Sequence, residues 1–295
     1  MSARTIRTLR TLLAFALVAA AGAHAADAWP TKPIRMIVPS GAGAASDLLA
    51  RLMAERMSAE FGQQVVVENR PGASGAIGIS AVAKAPADGY TLLYNNGSFA
   101  VMAPALMPEY PYHPLRDVTP IALTVVGGVF IVVNPQVPAK NLRELVELIR
   151  AKPGAYTYGS WAVGSAGHLI MEWLKREAGL RIDHVPYKTM PSLLAELSAG
   201  VIPIGWVDIV SSASFIRAGK IRGIAISGND RVPATPDIPT MGEQGYPFEP
   251  VGWQGIFGPP GIPPALIERI NEAVNRIQGT NEVRATMTRM NLPAP

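Results

Sequence analysis

The chain has 295 residues, of which 48% are hydrophobic and 16% are charged, and it contains no cysteine. The absence of cysteine excludes disulfide bonds and thiol catalysis. Lys and Arg number 26 against 22 acidic residues, and they form no dense basic block beyond the N-terminal segment, so the composition describes a packed globular protein without a nucleic-acid-binding footprint.

The first 25 residues have the organisation of a secretory signal peptide. Arg4, Arg7 and Arg10 precede an apolar run over 12–22, and Ala23-His24-Ala25 then matches the small-x-small cleavage pattern. The apolar run is shorter than the roughly 20 residues that a membrane-spanning helix needs. We therefore expect residues 1–25 to be removed and the remaining chain to be exported to the periplasm.

The next segment combines a strand, a loop of small residues and a helix. Residues 34–38 form an apolar run, and apolar residues between Leu48 and Met57 recur at helical spacing. The first N–H groups of a helix lack partners within it, and the helix dipole favours negative charge there. This loop is therefore a candidate anion site, and the pattern alone leaves open whether the anion is a dinucleotide, a phosphate or a carboxylate.

Strands and helices alternate through the rest of the chain. This alternation predicts an α/β fold with parallel sheets that are covered by helices on both faces. The predicted strands are 64–68, 90–94, 121–134 with a break at Gly127-Gly128, 156–160, 181–186, 203–207, 220–227 and 251–257. The predicted helices are 77–84, 142–151, 166–178, 192–199 and 264–277, and a further helix ends at 215–218.

Four of the predicted strands end in loops of small or hydroxyl-bearing residues. These loops cover 40–47, 95–98, 160–168 and 208–212, so two lie in each half of the chain. Ligands of α/β sheets bind beyond the carboxyl ends of the strands. The sequence therefore predicts two α/β lobes whose strand ends face one cleft.

An exported Rossmann-like oxidoreductase that uses a dinucleotide is the enzyme alternative. Residues 41–46 read GxGxxS, and Glu68 lies where a ribose-binding acid would be placed. Ser46, however, replaces the third glycine of the fingerprint, which allows close packing of helix and strand. Three histidines follow the signal peptide, in separate segments and without zinc-type spacing, so we predict no metal site and no catalytic residue.

Several ordered motifs resemble those of one known family. ENRPG at 68–72, ADGYTLL at 87–93, HVPYK at 184–188 and ATPDIPTMGEQG at 234–245 are similar to the extracytoplasmic solute receptors of tripartite tricarboxylate transporters, the Bug proteins. This resemblance implies a two-lobed type II periplasmic-binding-protein fold that binds a small carboxylate without cofactor or chemistry. It also implies delivery of the ligand to a membrane permease of one large and one small subunit, and we expect the receptor to be a monomer.

The resemblance also implies how the carboxylate is held: by backbone N–H groups, hydroxyls and ordered waters of the strand-end loops, with walls near Tyr187 and Asp208. These loops contain no Lys or Arg, so neutral donors would supply the attraction. The predicted ligand-binding residues are Ser40, Gly41, Ala42, Gly43, Ser46, Asp47, Asn96, Ser98, Ser160, Gly164, Ser165, Tyr187 and Asp208.

Two departures from the family pattern bear on the ligand. Trp161 stands in a loop that is commonly small, and Trp206 stands where many members carry another residue type. Either indole is compatible with core packing or with stacking on a planar ligand. Members also usually continue with one more helix beyond the position of Pro295.

We predict that lobe 1 comprises residues 27–125 together with 248–295, and that lobe 2 comprises residues 126–247. The chain would cross between the lobes twice. Gly127-Gly128 and Gly252 lie in these crossings and would absorb backbone change, as a hinge requires.

Overall fold

The computed structural model describes residues 29–107, 109–114 and 116–292. The predicted signal peptide at residues 1–25 lies outside these described residues. Within them, no helix is both long enough and apolar enough to cross a membrane.

Ten strands alternate with helices along the described chain. The strands are β1 (Ile34–Val38), β2 (Val65–Asn69), β3 (Thr91–Asn96), β4 (Thr119–Gly127), β5 (Val129–Val133), β6 (Thr157–Ser160), β7 (Asp183–Pro186), β8 (Ile204–Asp208), β9 (Arg222–Ile226) and β10 (Gly252–Gly258). The α-helices are α1 (Ala45–Phe61), α2 (Ala76–Ala83), α3 (Ala103–Leu106), α4 (Leu142–Ala151), α5 (Ala166–Ala178), α6 (Met190–Ala199), α7 (Ile209–Arg217), α8 (Pro264–Gly279) and α9 (Asn281–Arg289). A π-helical segment, Ser98–Met102, leads into α3, and short 3-10 turns cover Ala73–Gly75 and Gly242–Gln244.

The strands form two separate five-stranded sheets. The first has the order β2-β1-β3-β10-β4, and the second has the order β7-β6-β8-β5-β9. The first sheet therefore combines strands from the N-terminal part of the chain with β10, which returns to it after the whole second sheet has been completed. This arrangement gives two α/β layers, as the four strand-end loops predicted.

The prediction of purely parallel sheets is wrong for one strand in each sheet. Pairings of β1 with β2 and β3, and of β6 with β7 and β8, are parallel, whereas β10 runs antiparallel to β3 and β4, and β5 runs antiparallel to β8 and β9. These two strands directly follow the crossings between the sheets. Because the chain leaves one sheet at its carboxyl edge, it enters the next sheet from that same edge and must run in the opposite direction.

Apolar side chains pack on both faces of each sheet. All five residues of β5 are buried, which fits a central strand covered on both sides. One large apolar cluster contains residues associated with both sheets, including Leu49 of α1, Leu193 of α6 and Ile209 of α7. The two layers therefore contact each other along one side while their strand ends face a cavity.

Side-chain caps determine where several helices begin. Asn141 accepts a hydrogen bond from Glu144 N–H, and Glu144 in turn accepts one from Lys140 N–H, which is a reciprocal capping arrangement. Ser165 caps α5 by accepting from His168 N–H, and Asp208 caps α7 by accepting from Ser211 N–H. Two of the predicted site residues therefore also act as helix caps.

Two helical segments were not predicted from the sequence. Residues 98–106 are helical rather than a loop, and Asn95 and Asn96 belong to β3. The Asn-Asn-Gly-Ser composition typical of turns concealed the burial of Phe99, Ala100 and Ala103, which holds this segment against the first sheet. Helix α9 also follows α8 almost directly, with Thr280 as its cap.

Candidate ligand-binding cleft

A cavity of about 660 Å³ lies where the strand ends of the two sheets meet. The first sheet contributes the loop after β1, the end of β3 and the start of β10. The second sheet contributes the loops after β6 and β7 and the end of β8. The volume lies within the range of small-molecule sites, and its position agrees with the rule that ligands bind beyond the carboxyl ends of strands.

The structure brings about half of the predicted site residues to the wall of this cavity. Those that line it are Ser40, Gly41, Ser46, Asn96, Ser98, Tyr187 and Asp208. Six others lie next to these residues without lining the cavity: Ala42, Gly43, Asp47, Ser160, Gly164 and Ser165.

Asp47 holds the loop after β1 in shape. Its carboxylate accepts hydrogen bonds from Gly43 N–H at 2.9 Å, from Arg51 Nε at 3.0 Å and from Asn69 Nδ2 at 2.9 Å. Burial alone would raise the pKa of the Asp47 carboxyl, but these hydrogen bonds outweigh it and lower the pKa. Gly43 adopts a positive φ of 79°, which favours glycine. Both residues therefore shape the loop, and the Gly43 N–H is already paired.

The start of α1 remains open toward the cavity. Ala44 occupies the N-cap position and provides no side-chain hydrogen bond, and both Ala45 and Ser46 line the cavity. Asn96 Nδ2 donates a hydrogen bond to Ser46 Oγ at 3.1 Å. Because the Ser46 hydroxyl accepts this bond, its own proton can be donated to a ligand. This end of the cavity presents helix N–H groups and a hydroxyl donor, which is the chemistry of an anion site.

On the side of the second sheet, the predicted serine hydroxyls are used within the protein. Ser160 and Ser165 have no exposed surface, and Ser165 Oγ donates to Ser160 Oγ at 2.9 Å. Ser160 Oγ also lies 2.7 Å from His184 Nε2, and Ser165 Oγ accepts from His168 N–H. These hydroxyls support the loop over 160–168 from behind.

Two stacked histidines support the same loop. The rings of His168 and His184 lie 4.3 Å apart at 17°, and Gly164 N–H donates to His168 Nδ1 at 3.1 Å. Burial lowers the pKa of both imidazoles, and the neighbouring His168 further lowers the pKa of His184, to about 4. At neutral pH both rings are therefore uncharged and act as hydrogen-bonding supports of the loop.

Among the described residues, two charged side chains line the cavity, Lys188 and Asp208. Asp208 Oδ1 accepts from Ser211 N–H at 2.7 Å, and burial raises the pKa of its carboxyl. Lys188 is exposed, and it follows Tyr187, whose hydroxyl donates to Glu196 at 2.6 Å. Lys188 was not among the ligand-binding residues predicted from the sequence, although it adjoins Tyr187 of the predicted wall.

Sequence reasoning also missed the loop after β2 as a wall of the cavity. Residues 71–75 line it, and Ala73 and Ser74 adopt positive φ values of 47° and 50° between two glycines that do the same. Ser74 Oγ donates to Val163 O at 3.3 Å, which links this loop to the loop after β6. Strained backbone of this kind concentrates at functional sites, and the closely spaced glycines of RPGASG were its signal in the sequence.

The two tryptophans that the sequence left undecided have different environments. Trp206 has no exposed surface and belongs to an apolar cluster of the second sheet. Trp161 is half-buried and lines the cavity. Trp206 is therefore a core residue, and Trp161 is available to a ligand.

Glu68 is not placed to bind the ribose of a dinucleotide, as the oxidoreductase alternative requires. Its carboxylate is paired with Arg35 Nη2 at 2.7 Å and with Arg70 Nε at 2.6 Å, and these contacts lower its pKa. It is not among the residues that line the cavity. A ribose bound in the cleft would therefore find no acidic side chain at this strand end.

Comparison with known proteins agrees with this geometry. The model of the tripartite tricarboxylate transporter family receptor matches residues 49–293. Protein BugT of Bordetella pertussis is 36% identical over 252 residues, which cover 85% of this chain and 77% of BugT. A solved periplasmic transporter has a TM-score of 0.87 and 35% identity, and the match covers 90% of both chains. Rpa4515 of R. palustris, solved with adipate, has a TM-score of 0.87 and 31% identity, covering 90% of this chain and 89% of Rpa4515. The chain accordingly belongs to the family of tripartite tricarboxylate transporter receptors, which are solute-binding proteins and not enzymes.

Proposed function

We propose that this protein binds a small carboxylate in the cleft between its two sheets and delivers it to a two-subunit membrane permease of the tripartite tricarboxylate type. The observation that carries this proposal is the uncapped start of α1, where Ala45 and Ser46 line the cavity. A relative of the same fold has been solved with adipate, which supports a carboxylate as the anion.

The carboxylate would be held by neutral donors and by the helix dipole. Ala45 and Ser46, at the start of α1, line one wall of the cavity and would offer helix N–H groups and the Ser46 hydroxyl to the ligand. Hydrogen bonds to a charged group contribute about 1.5–3 kcal/mol each. Two or three such bonds, together with contacts to the apolar walls, account for the roughly −8 kcal/mol of micromolar binding.

The remaining predicted residues would act in support of this seat. Asp47 and Gly43 hold the loop that presents the helix N–H groups, and Ser160, Ser165 and the histidine pair hold the facing loop. We therefore assign ligand contact to the residues that line the cavity and a supporting role to those behind it.

The two sheets would belong to two lobes that close on the ligand. The proposed boundaries are residues 27–125 with 248–295 for lobe 1 and residues 126–247 for lobe 2. Gly127, Gly128 and Gly252 line the cavity at the two crossings, where a hinge would bend. The protein would act in the periplasm after loss of residues 1–25, since a solved relative is a periplasmic transporter, and we expect it to act as a monomer.

A panel of carboxylates tests the function directly. Thermal shift with the mature chain is the first step, because a ligand at 100 times its dissociation constant stabilises the folded state by about 2.7 kcal/mol. Isothermal titration then gives affinity and stoichiometry for compounds that shift the melting temperature. Binding of NAD in place of every carboxylate would contradict the proposal and favour the oxidoreductase alternative.

A further inference from the structure

The cavity is apolar along most of its wall. Phe99, Met102, Val125, Val129 and Ile209 all contribute to it. Among its lining residues, the charged ones are Lys188, which is exposed, and Asp208. Apart from its carboxylate, a ligand that fills this cavity would therefore contact chiefly apolar side chains.

Trp161 forms a fixed part of this wall. It directly follows β6, is half-buried and packs against all three apolar clusters of the protein. A Cβ atom at Gly167, in the first turn of α5, would overlap Cβ of the core residue Trp206 and would come within 3.3 Å of Trp161 Cζ3. The absence of a side chain at Gly167 therefore leaves space chiefly for Trp206 and, next to it, for the indole of Trp161.

A second indole reaches the cavity from the opposite sheet. Trp253 lies near the start of β10, is half-buried and packs against Phe257 with ring centroids 6.0 Å apart. Trp161 and Trp253 both pack against the cluster that contains Phe99. Aromatic side chains from both sheets therefore line one cavity.

We infer that the ligand is a carboxylate with a planar aromatic body, and that Trp161 is the residue that selects it. Its carboxylate would occupy the start of α1, and its ring would lie along the indole of Trp161. Aromatic rings attract one another in offset or edge-to-face arrangements beyond the area that they bury. This inference rests on the proposed function and adds the chemical class of the ligand.

An aliphatic dicarboxylate fits the same wall less well. Its second carboxylate would lie among apolar side chains or beside Asp208, a carboxyl group that supplies no cation to pair with it. Lys188 is the single cation that lines the cavity among residues 29–107, 109–114 and 116–292, and because it is exposed, solvent screens its attraction. The walls therefore favour one charged end and one apolar ring.

Titration calorimetry with matched compounds tests the inference. The probes are 3-phenylpropanoate, its saturated counterpart 3-cyclohexylpropanoate, and adipate. We expect the wild-type protein to bind the aromatic compound at least fivefold more tightly than either of the others. In Trp161→Leu, affinity for 3-phenylpropanoate should fall at least tenfold and affinity for the cyclohexyl compound less than threefold, whereas Trp161→Phe should retain the preference for the aromatic ring.

Trp173 provides the matched control for loss of an indole. It is half-buried, lies in α5 and packs against Phe248, and it does not line the cavity. Trp173→Leu should leave all three affinities unchanged. Tighter binding of adipate or the cyclohexyl compound, or equal losses for all three probes in Trp161→Leu, would overturn the inference and leave the proposed function intact. Failure of the wild-type protein to bind any carboxylate of a wider panel would overturn both.

Discussion

The hydroxyl of Ser98 accepts a hydrogen bond from the backbone N–H of Ala166 at 3.0 Å. Ser98 follows β3 of the first sheet, and Ala166 is the first residue of α5, which follows β6 of the second sheet. Both residues are buried and line the cavity. One hydrogen bond thus joins the two strand-end loops that face each other across the site.

Replacing Ser98 by Ala should weaken ligand binding by about three- to tenfold, since a lost hydrogen bond costs about 0.5–1.5 kcal/mol. The buried Ala166 N–H would lose its partner in the closed arrangement, so closure would become less favourable. Calorimetry with the tightest carboxylate of the panel measures the effect. Ser198→Ala is the control, because Ser198 is half-buried, its hydroxyl donates to Ala195 O at 2.8 Å and it does not line the cavity. Unchanged affinity in Ser98→Ala would show that this bond does not contribute to closure.

Gly43→Val should abolish binding through the backbone of the loop. Gly43 has φ of +79°, and its N–H donates to Asp47, so a β-branched residue there is strained by about 1–3 kcal/mol and disturbs the start of α1. Gly219→Val is the matched control, because Gly219 has φ of +65° with open space around its Cβ position and does not line the cavity.

Thermal melting and calorimetry distinguish the two glycine variants. Both should lower the melting temperature, and Gly219→Val should retain wild-type affinity. Normal binding by Gly43→Val would refute the assignment of this loop to the carboxylate seat.

Ligand affinity should depend only weakly on salt. Neutral donors form the proposed seat, and Lys188 is the single cation of the lining in the part of the chain that the structure describes. An exposed charge near 4 Å contributes about 1 kcal/mol in water and is screened at high ionic strength. We expect a loss of less than about fivefold between low and high salt. Lys188→Met should remove this loss, whereas Lys152→Met, at an exposed position at the end of α4, should not. A steep salt dependence that persists in Lys188→Met would point to a different anchor.

Stability should fall as the pH decreases from about 6.5 toward 4, in part because of His184. Burial and His168 lower the pKa of folded His184 to about 4, whereas the unfolded value is close to 6.5. The unfolded chain therefore binds more protons in this interval, and acid favours unfolding. His168, which has a lowered pKa of its own, acts in the same direction. Glu172 and Lys175 also face the histidine pair. The charge of Glu172 raises the pKa of His184, whereas the charge of Lys175 lowers it.

Urea unfolding at several pH values checks this contribution. His184→Asn removes the titrating group and should lose less stability than the wild-type protein between pH 6.5 and 4.5, although it is less stable at pH 7 because the contact with Ser160 is altered. His113→Asn is the control, since the pair and the cavity do not include it. Parallel pH profiles for wild type and His184→Asn would contradict the assignment.

Local signals in the chain predicted most of the elements. The helices at 142–151 and 166–178 were placed at their observed bounds, because each has a side-chain cap and an apolar face that are visible in sequence. The helix over 98–106 was missed, because its first residues have turn composition and only packing against the first sheet makes it helical. The reversed direction of β5 and β10 was missed as well, because periodicity carries no information about strand direction.

The candidate site likewise contains residues that the sequence could indicate and residues whose role it could not distinguish. The small-residue loop before α1 and the residues Ser46, Asn96 and Ser98 could be chosen from their place at strand ends, and the structure brings them to the cavity. No pattern distinguished Ser160 and Ser165, which lie behind the wall, from residues on it. The sequence alone likewise did not separate Trp161 from Trp206, since both follow or lie within short strands.

The amino-acid sequence by itself determined the α/β class, the family and the loops that could meet a ligand, because these depend on local periodicity, capping residues and ordered motifs. Only the tertiary structure decided which hydroxyls point into the cleft, that Lys188 and the loop over 71–75 join its wall, and that Trp161 rather than Trp206 is available to a ligand. The physical reason is that burial and hydrogen-bond pairing depend on neighbours that are distant in sequence. Ser160 meets His184 and Ser98 meets Ala166 only after two sheets have formed and faced each other.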